Sequence, residues 1–131
     1  RSVDIVIAES DEVNRISYAN ALSASKLKYR IVSTAEEAIS MARTLKCKLF
    51  LIDMTLPDMD GFQAAAAIRK AYGSKPGLGS LVSMTSHYVG GDKAKCMAAG
   101  MDDYVLKPLI GSELVVLAEK FFEHQELKAT G

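Results

Sequence analysis

Apolar and polar positions follow each other along the chain in blocks that predict five strands, each followed by a helix. The strands are short apolar runs rich in branched side chains, and VDIVIA at residues 3–8 is the first. The predicted strands are 3–8, 29–32, 48–52, 81–85 and 103–106, and the helices after them are 12–23, 35–45, 62–72, 92–99 and 112–127. Alternation of this kind is typical of an α/β fold, in which a parallel sheet carries helices on both faces.

The helices show apolar stripes and end signals that refine this prediction. The stripe expected to face the sheet is Val13, Ile16, Ala19 and Leu22 in the first helix, and Leu114, Leu117, Ala118 and Phe121 in the last. Ser10 or Asp11 can cap the first helix, and Thr34 can cap the second. Gly100 is a C-cap signal for the fourth helix.

Composition narrows the class of protein. The chain has 131 residues, of which 49% are apolar, so it can bury one core, and we interpret residues 1–131 as a single domain cut from a larger protein. Sixteen basic and sixteen acidic side chains cancel, which argues against nucleic acid as a direct partner. No apolar run is long enough to cross a membrane, so we expect no membrane contact by this chain. Cys47 and Cys96 are expected to be reduced thiols, buried or half-buried, as in a cytoplasmic protein.

Residues with reactive side chains follow four of the five strands. In an open parallel sheet, ligands bind outside the carboxyl ends of the strands, where these side chains converge. They are Glu9, Ser10 and Asp11 after the first strand, Asp53 after the third, Thr85 and Ser86 at the fourth, and Lys107 after the fifth. A carboxylate can accept a phosphoryl group, carboxylates hold Mg²⁺, and lysine pairs with phosphoryl oxygens. The set therefore suits phosphoryl chemistry.

Four segments together resemble the receiver domain of two-component response regulators. They are Ile5–Arg15, Leu51–Phe62, Ser83–Ser86 and Ala99–Leu109. The resemblance covers essentially the whole chain. It implies a chemotaxis-regulator-like, flavodoxin-like fold with three α/β/α layers and strand order 2-1-3-4-5. Residues 84–87 and 96–109 look most like receivers attached to hybrid sensor histidine kinases.

The resemblance also implies roles for individual residues. Asp53 would be the phosphoacceptor, and Lys107 would pair with a phosphoryl oxygen. Thr85 would bind the phosphoryl group and move on activation, and Tyr104 would be the aromatic switch that follows it inward. The peptide bond between Lys107 and Pro108 is expected to be cis, as is usual in the family.

The implied magnesium site departs from the family pattern. Glu9, Asp53 and the backbone carbonyl of Thr55 would hold Mg²⁺, but Ser10 stands where a second adjacent acid is usual. Two carboxylates against one lysine leave a net formal charge of −1, where the usual set carries −2. We therefore expect weakened Mg²⁺ binding and slow or absent phosphorylation, unless Glu9 reaches the metal directly or Asp11 rotates in.

Three functions compete at this stage. In the first, the chain accepts a phosphoryl group from a histidine kinase or a histidine phosphotransfer domain, and a partner-binding face switches. In the second, favoured by Ser10, it is a degenerate receiver that signals by contacts alone. A flavin or nucleotide module is disfavoured, because the acidic turn at residues 9–12 repels phosphate.

Neither the phosphoacceptor receiver nor the degenerate receiver would be a stand-alone enzyme, although the parent protein would be a sensor histidine kinase, a transferase. The last helices are the expected surface for any homodimer. His87 and His124 have no partner cluster in the sequence, so both are expected to be exposed polar residues.

Overall fold

Five strands alternate with five helices in the computed structural model, which describes residues 2–73, 79–86 and 92–130. The strands are β1 (Ser2–Ala8), β2 (Tyr29–Val32), β3 (Lys46–Asp53), β4 (Ser80–Thr85) and β5 (Asp103–Leu106). The helices are α1 (Glu12–Ser23), α2 (Ala35–Thr44), α3 (Gly61–Tyr72), α4 (Asp92–Ala98) and α5 (Gly111–Thr130). The predicted order of elements is confirmed. β2 and β5 have the predicted bounds, and the other boundaries differ from the prediction by at most three residues.

All five strands run parallel in one sheet. Their order is β2-β1-β3-β4-β5, as expected, and all pairs are in parallel register. Ala8 pairs with Ile52, and Asp53 pairs with Met84. Because the strands are parallel and in register, the residues that follow β1 and β3 emerge beside each other at one edge of the sheet.

The sheet separates two apolar cores, because successive strand residues point to opposite faces. On one face, Ile5 and Ile7 pack with side chains from α1 and α5. On the other face, Val6 and Ala8 pack with side chains from α2, α3 and α4. Each fully buried branched side chain of this kind contributes about 1.5–3 kcal/mol, so both layers hold the sheet in place.

The orientation of α1 differs from the prediction. Val13 and Ile16, which were expected to face the sheet, are 72% and 55% exposed. Leu22, from the same predicted stripe, is buried as expected, together with Tyr18, which was not part of the stripe. Tyr18 and Leu22 lie four residues apart and therefore share a side of the helix, opposite to Val13 and Ile16. The larger combined apolar surface of tyrosine and leucine fills the space between β1 and α5, so the helix buries that side.

Local signals at the other elements are confirmed. Asp11 and Thr34 are the N-caps of α1 and α2, each accepting a hydrogen bond from a backbone N–H of the first turn. Gly100 has a φ of +91°, the conformation that a helix C-cap requires. The bond between Lys107 and Pro108 is cis.

The cysteines and the last helix also match the prediction. Cys47 and Cys96 are free and buried. In α5, Leu114 and Ala118 are fully buried, while Leu117 and Phe121 are half-buried. Within the part of the chain that is described, no helix combines the length and the apolar character that crossing a bilayer requires. The glycine, proline and serine residues of the run 73–79 predict a loop, and this run lies largely outside the described residues.

Candidate functional site

An ion-paired cluster of three residues lies at the carboxyl edge of the sheet. Glu9 directly follows β1, Asp53 is the last residue of β3, and Lys107 directly follows β5. The Lys107 Nζ atom lies 2.9 Å from Glu9 Oε2 and 3.2 Å from Asp53 Oδ2. The side chains of Glu9 and Asp53 are 0% and 1% exposed, and that of Lys107 is 10% exposed. The fold thus brings the two carboxylates and the amine together, as the strand ends predicted.

Both oxygens of the Asp53 carboxylate accept hydrogen bonds. The backbone N–H and the hydroxyl of Thr55 donate to Oδ1 at 2.9 and 2.7 Å. The backbone N–H and the hydroxyl of Ser10 donate to Oδ2 at 2.9 and 2.6 Å, and Lys107 shares that oxygen. Charge-assisted hydrogen bonds of this kind stabilise the ionised carboxylate and fix its orientation.

Ser10 and Asp11, in the acidic turn after β1, have different hydrogen-bond partners. Ser10 faces the cluster as a donor to Asp53. Asp11 instead accepts from the backbone N–H of Asn14 at 2.9 Å, and its own backbone N–H donates to Glu9 Oε2. In this structure the Asp11 carboxylate therefore caps helix α1 and makes no recorded contact with the Glu9, Asp53 and Lys107 side chains.

The pKa values of the two carboxyls are shifted in opposite directions: that of Asp53 is lowered and that of Glu9 is raised. Burial alone would raise the pKa of Asp53, but the hydrogen bonds that Ser10 and Thr55 donate to its carboxylate outweigh it and hold that pKa well below its ordinary value. Burial raises the pKa of Glu9, and contact with Asp53 raises it further, against the opposing effect of Lys107. Asp53 is consequently ionised at neutral pH and can act as a nucleophile.

Lys107 balances this pair of carboxyls. Burial disfavours its charged form, but the hydrogen bond with Glu9 and the charges of both carboxylates outweigh burial and raise the pKa of Lys107 above its ordinary value. Its ammonium group is therefore charged at neutral pH and available to a phosphoryl oxygen at this position.

The oxygen atoms of Glu9 and Asp53 are donors of the kind that a hard cation takes. Glu9 and Asp53 offer carboxylate oxygens, and Mg²⁺ is commonly held by one or two carboxylates with water completing its shell. One carboxylate oxygen of Glu9, Oε1, is buried and has no hydrogen-bond partner among the described residues. Within those residues, however, no group of three or more acidic, histidine or cysteine side chains is gathered as a metal site. The serine at position 10 supplies a donor where a third carboxylate would supply a ligand.

Thr85 and Tyr104 lie together beside the cluster and line one small cavity. Thr85 ends β4, where its carbonyl accepts from the backbone N–H of Lys107 at 2.8 Å. Both side chains, with those of Met54, Phe62 and Cys96 among others, surround a cavity of about 140 Å³. Tyr104 is half-buried and packs against the apolar core on the face of the sheet that α2, α3 and α4 cover. The cavity provides free space next to both residues.

Two contributors to the site were not predicted from the sequence. Arg15 donates to the backbone carbonyls of Glu9 and Ser10 at 2.9 Å each, which holds the acidic turn in shape. Tyr18 is buried close to Glu9. The spacing of Tyr18 from Leu22 was the available signal for its burial, but nothing in the sequence connects its hydroxyl to Glu9. His124 is exposed, as expected, and His87 lies outside the described residues.

Comparison with known proteins agrees with this geometry. The sequence profile of the response regulator receiver domain matches residues 5–119. The chain belongs to the response regulator receiver family. The match includes the turn after β1, Asp53, Thr85 and Lys107, so the resemblance predicted from the four sequence segments is confirmed.

Several of the receivers that the chain resembles belong to sensor proteins. The chain is 29% identical over 125 residues to the aerobic respiration control sensor protein ArcB of Escherichia coli, a match that covers 95% of this chain and 16% of ArcB. The receiver domain of the sensor histidine kinase PA1611 of Pseudomonas aeruginosa, solved with a magnesium ion in its active-site cleft, is 25% identical with a TM-score of 0.76. That match covers 92% of this chain and 98% of the PA1611 domain.

A second solved structure shows the same fold in a complex. The receiver domain of Ssk1 from Saccharomyces cerevisiae, crystallised with the histidine phosphotransfer protein Ypd1, is 24% identical with a TM-score of 0.78. The match covers 98% of this chain and 92% of the solved chain. The likeness to receivers carried by sensor histidine kinases is thus confirmed together with the fold.

Proposed function

We propose that this receiver accepts a phosphoryl group on Asp53 from a phosphorylated histidine of a kinase or of a histidine phosphotransfer protein. The observation that carries this proposal is the contact of Lys107 with both Asp53 and Glu9 at the carboxyl edge of the sheet. The complex of the Ssk1 receiver with Ypd1 supports the class of partner. The free, buried cysteines are consistent with a reducing, cytoplasmic location.

The transfer exchanges one bond to phosphorus for another. A carboxylate oxygen of Asp53 attacks the phosphorus, an oxygen–phosphorus bond forms, and the nitrogen–phosphorus bond of the donor breaks with its electron pair returning to the imidazole nitrogen. Asp53 is suited to this role, because it is ionised without needing a separate base. Lys107 is placed to pair with the phosphoryl oxygens, and this pairing offsets the charge that arrives at a buried carboxylate.

Glu9, Asp53 and the carbonyl of Thr55 are the residues that would hold Mg²⁺ in this site. When bound, the ion neutralises phosphoryl charge and draws the phosphoryl oxygens towards the cluster. The net charge of −1 on the protein side chains predicts weaker binding than in receivers with three acids. The magnesium in the PA1611 receiver supports a site at this place in the fold.

Phosphorylation would bias a face of the domain through Thr85 and Tyr104. A phosphoryl group on Asp53 brings new acceptors to the end of β4, which the Thr85 hydroxyl can approach. The 140 Å³ cavity that Thr85 shares with Tyr104 leaves room for the tyrosine ring to move inward as the threonine moves. The positions of side chains at this edge would then differ between the phosphorylated and the unphosphorylated state, and a partner protein could distinguish the two states.

A second candidate is a degenerate receiver that binds its partner without being phosphorylated. The observation in its favour is the Ser10 hydroxyl, which lies 2.6 Å from Asp53 Oδ2. Together with Thr55 it satisfies the carboxylate in the absence of any phosphoryl group or metal. An aspartate that is already fully hydrogen-bonded gains less from binding a cation, and its reaction is correspondingly slower.

Intact-protein mass after incubation with acetyl phosphate separates the two candidates. We expect a gain of one phosphoryl group that depends on Mg²⁺ and is lost in Asp53→Asn. The matched control is Asp58→Asn, an exposed aspartate that caps α2 through Ala35 and Glu36 and should leave the gain intact. No gain at saturating Mg²⁺ would contradict the phosphoacceptor proposal and favour the degenerate receiver.

A further inference from the structure

Glu9 uses only one of its two carboxylate oxygens in the contacts described above. Its Oε2 atom accepts from Lys107 Nζ at 2.9 Å and from the backbone N–H of Asp11 at 3.0 Å. Its Oε1 atom is buried and has no hydrogen-bond partner within the described residues. A buried carboxylate oxygen without a donor is costly, and native proteins rarely leave one so.

A second buried polar atom without a partner lies in the same layer of the fold. The Tyr18 side chain is 1% exposed, and its hydroxyl has no hydrogen-bond partner in the part of the chain that is described. Glu9 continues the alternation of Ile5 and Ile7, so it faces the side of the sheet on which α1 packs. Tyr18 projects from α1 into that same layer, beside Ile5 and Ile7.

The two groups also influence each other. Burial raises the pKa of Tyr18 above its ordinary value, and the nearby Glu9 carboxylate raises it further, ahead of the effect of Asp53. A tyrosine hydroxyl donates one hydrogen bond, and an unused carboxylate oxygen accepts one. The two unsatisfied atoms are therefore complementary as a donor and an acceptor.

We propose that the Tyr18 hydroxyl donates a hydrogen bond to Oε1 of Glu9, directly or through one water, and thereby holds the Glu9 carboxylate in place against Lys107. Tyr18 is a positioning residue in this role. It restrains the long Glu9 side chain through the carboxylate oxygen that does not contact Lys107. The consequence for Mg²⁺, which rests on the proposed function, is that Glu9 is pre-oriented as a ligand.

The test compares two variants that each lose one buried tyrosine hydroxyl. Tyr18→Phe removes the proposed donor and preserves the ring that packs in the core. Tyr72→Phe is the matched control, because the Tyr72 hydroxyl bonds to the backbone of Cys47 at the opposite edge of the sheet. The readout is the ¹³C resonance of the Glu9 side-chain carboxyl in protein kept free of metal, assigned by its loss in Glu9→Gln.

We expect the Glu9 carboxyl resonance to shift in Tyr18→Phe and to stay in place in Tyr72→Phe. A resonance that does not move in Tyr18→Phe, or that moves equally in both variants, would overturn the proposal. This readout needs neither Mg²⁺ nor phosphorylation, so it separates the failure of this inference from the failure of the proposed function.

Mg²⁺ binding, measured by the shift of backbone amide resonances, provides the second arm. Loss of an outer-shell hydrogen bond to a ligand typically weakens metal binding 10- to 100-fold, and we expect a loss of about 10-fold in Tyr18→Phe. An unchanged affinity would overturn the positioning role. A wild type that binds no Mg²⁺ would refute the phosphoacceptor site instead, and the Glu9 resonance would then decide on Tyr18 alone.

Discussion

Replacing Ser10 with aspartate tests whether the missing acid sets the properties of the site. The Ser10 hydroxyl lies 2.6 Å from Asp53 Oδ2, so Ser10→Asp exchanges a donor for a negative charge beside an existing one. Two unit charges about 4 Å apart repel by about 1 kcal/mol in a water-like environment and about 4 kcal/mol at an effective dielectric of 20. Ser10 is exposed, so the lower figure applies to the repulsion.

The lost hydrogen bond adds to this cost. A hydrogen bond to a charged group contributes about 1.5 kcal/mol at the lower end of its range. We therefore expect Ser10→Asp to lose about 2 kcal/mol of unfolding free energy without metal, after Lys107 offsets part of the repulsion. The added carboxylate attracts a divalent cation by about 2 kcal/mol at the same distance and screening, which corresponds to about 30-fold tighter Mg²⁺ binding.

Urea unfolding in EDTA and at saturating Mg²⁺ measures both effects. The matched control is Ser10→Asn, which has the shape of aspartate without its charge. We expect Ser10→Asp to be the less stable of the two in EDTA and to gain more from Mg²⁺, with faster phosphorylation by acetyl phosphate. If the two variants respond equally to Mg²⁺, or if Ser10→Asp is as stable as the wild type in EDTA, the reasoning from charge is wrong.

Three further predictions follow from other parts of the structure. Because the pKa of Asp53 is lowered, its ionised form stabilises the fold above its ordinary pKa of 3.8, and this contribution is lost as the pH falls. The unfolding temperature should therefore fall less steeply between pH 7 and pH 2 in Asp53→Asn than in the wild type. Equal slopes in the two proteins would contradict the lowered pKa. A Cβ atom at Gly79 would lie 1.9 Å from the backbone oxygen of Lys48, so Gly79→Ala should lower the unfolding free energy by about 3 kcal/mol in urea, and a neutral result would contradict that close approach. Val13→Ser and Ile16→Ser should each change stability by no more than about 0.5 kcal/mol in the same assay, because both side chains face solvent, and a loss of 2 kcal/mol or more would show that they are buried.

The order of elements and the location of the site were available from the sequence alone. A parallel sheet covered on both faces needs apolar strands, and these runs stand out against amphipathic helices with local caps such as Thr34. Strand ends in such a sheet share one edge, so Glu9, Asp53 and Lys107 could be placed together before any coordinates were known. The information is local, because each run, cap or end signal lies within a few neighbouring residues.

Only the tertiary structure decided which contacts the side chains at that edge make and which side of α1 is buried. The rotation of α1 depends on how well Tyr18 fits between β1 and α5, and the helical period alone does not distinguish that side from the side of Val13. Likewise, Ser10 becomes a donor to Asp53 across 43 positions of sequence, and Lys107 reaches Glu9 across 98. Contacts over such separations depend on how the side chains of different elements pack together, and the local periodicity of the sequence does not determine that packing.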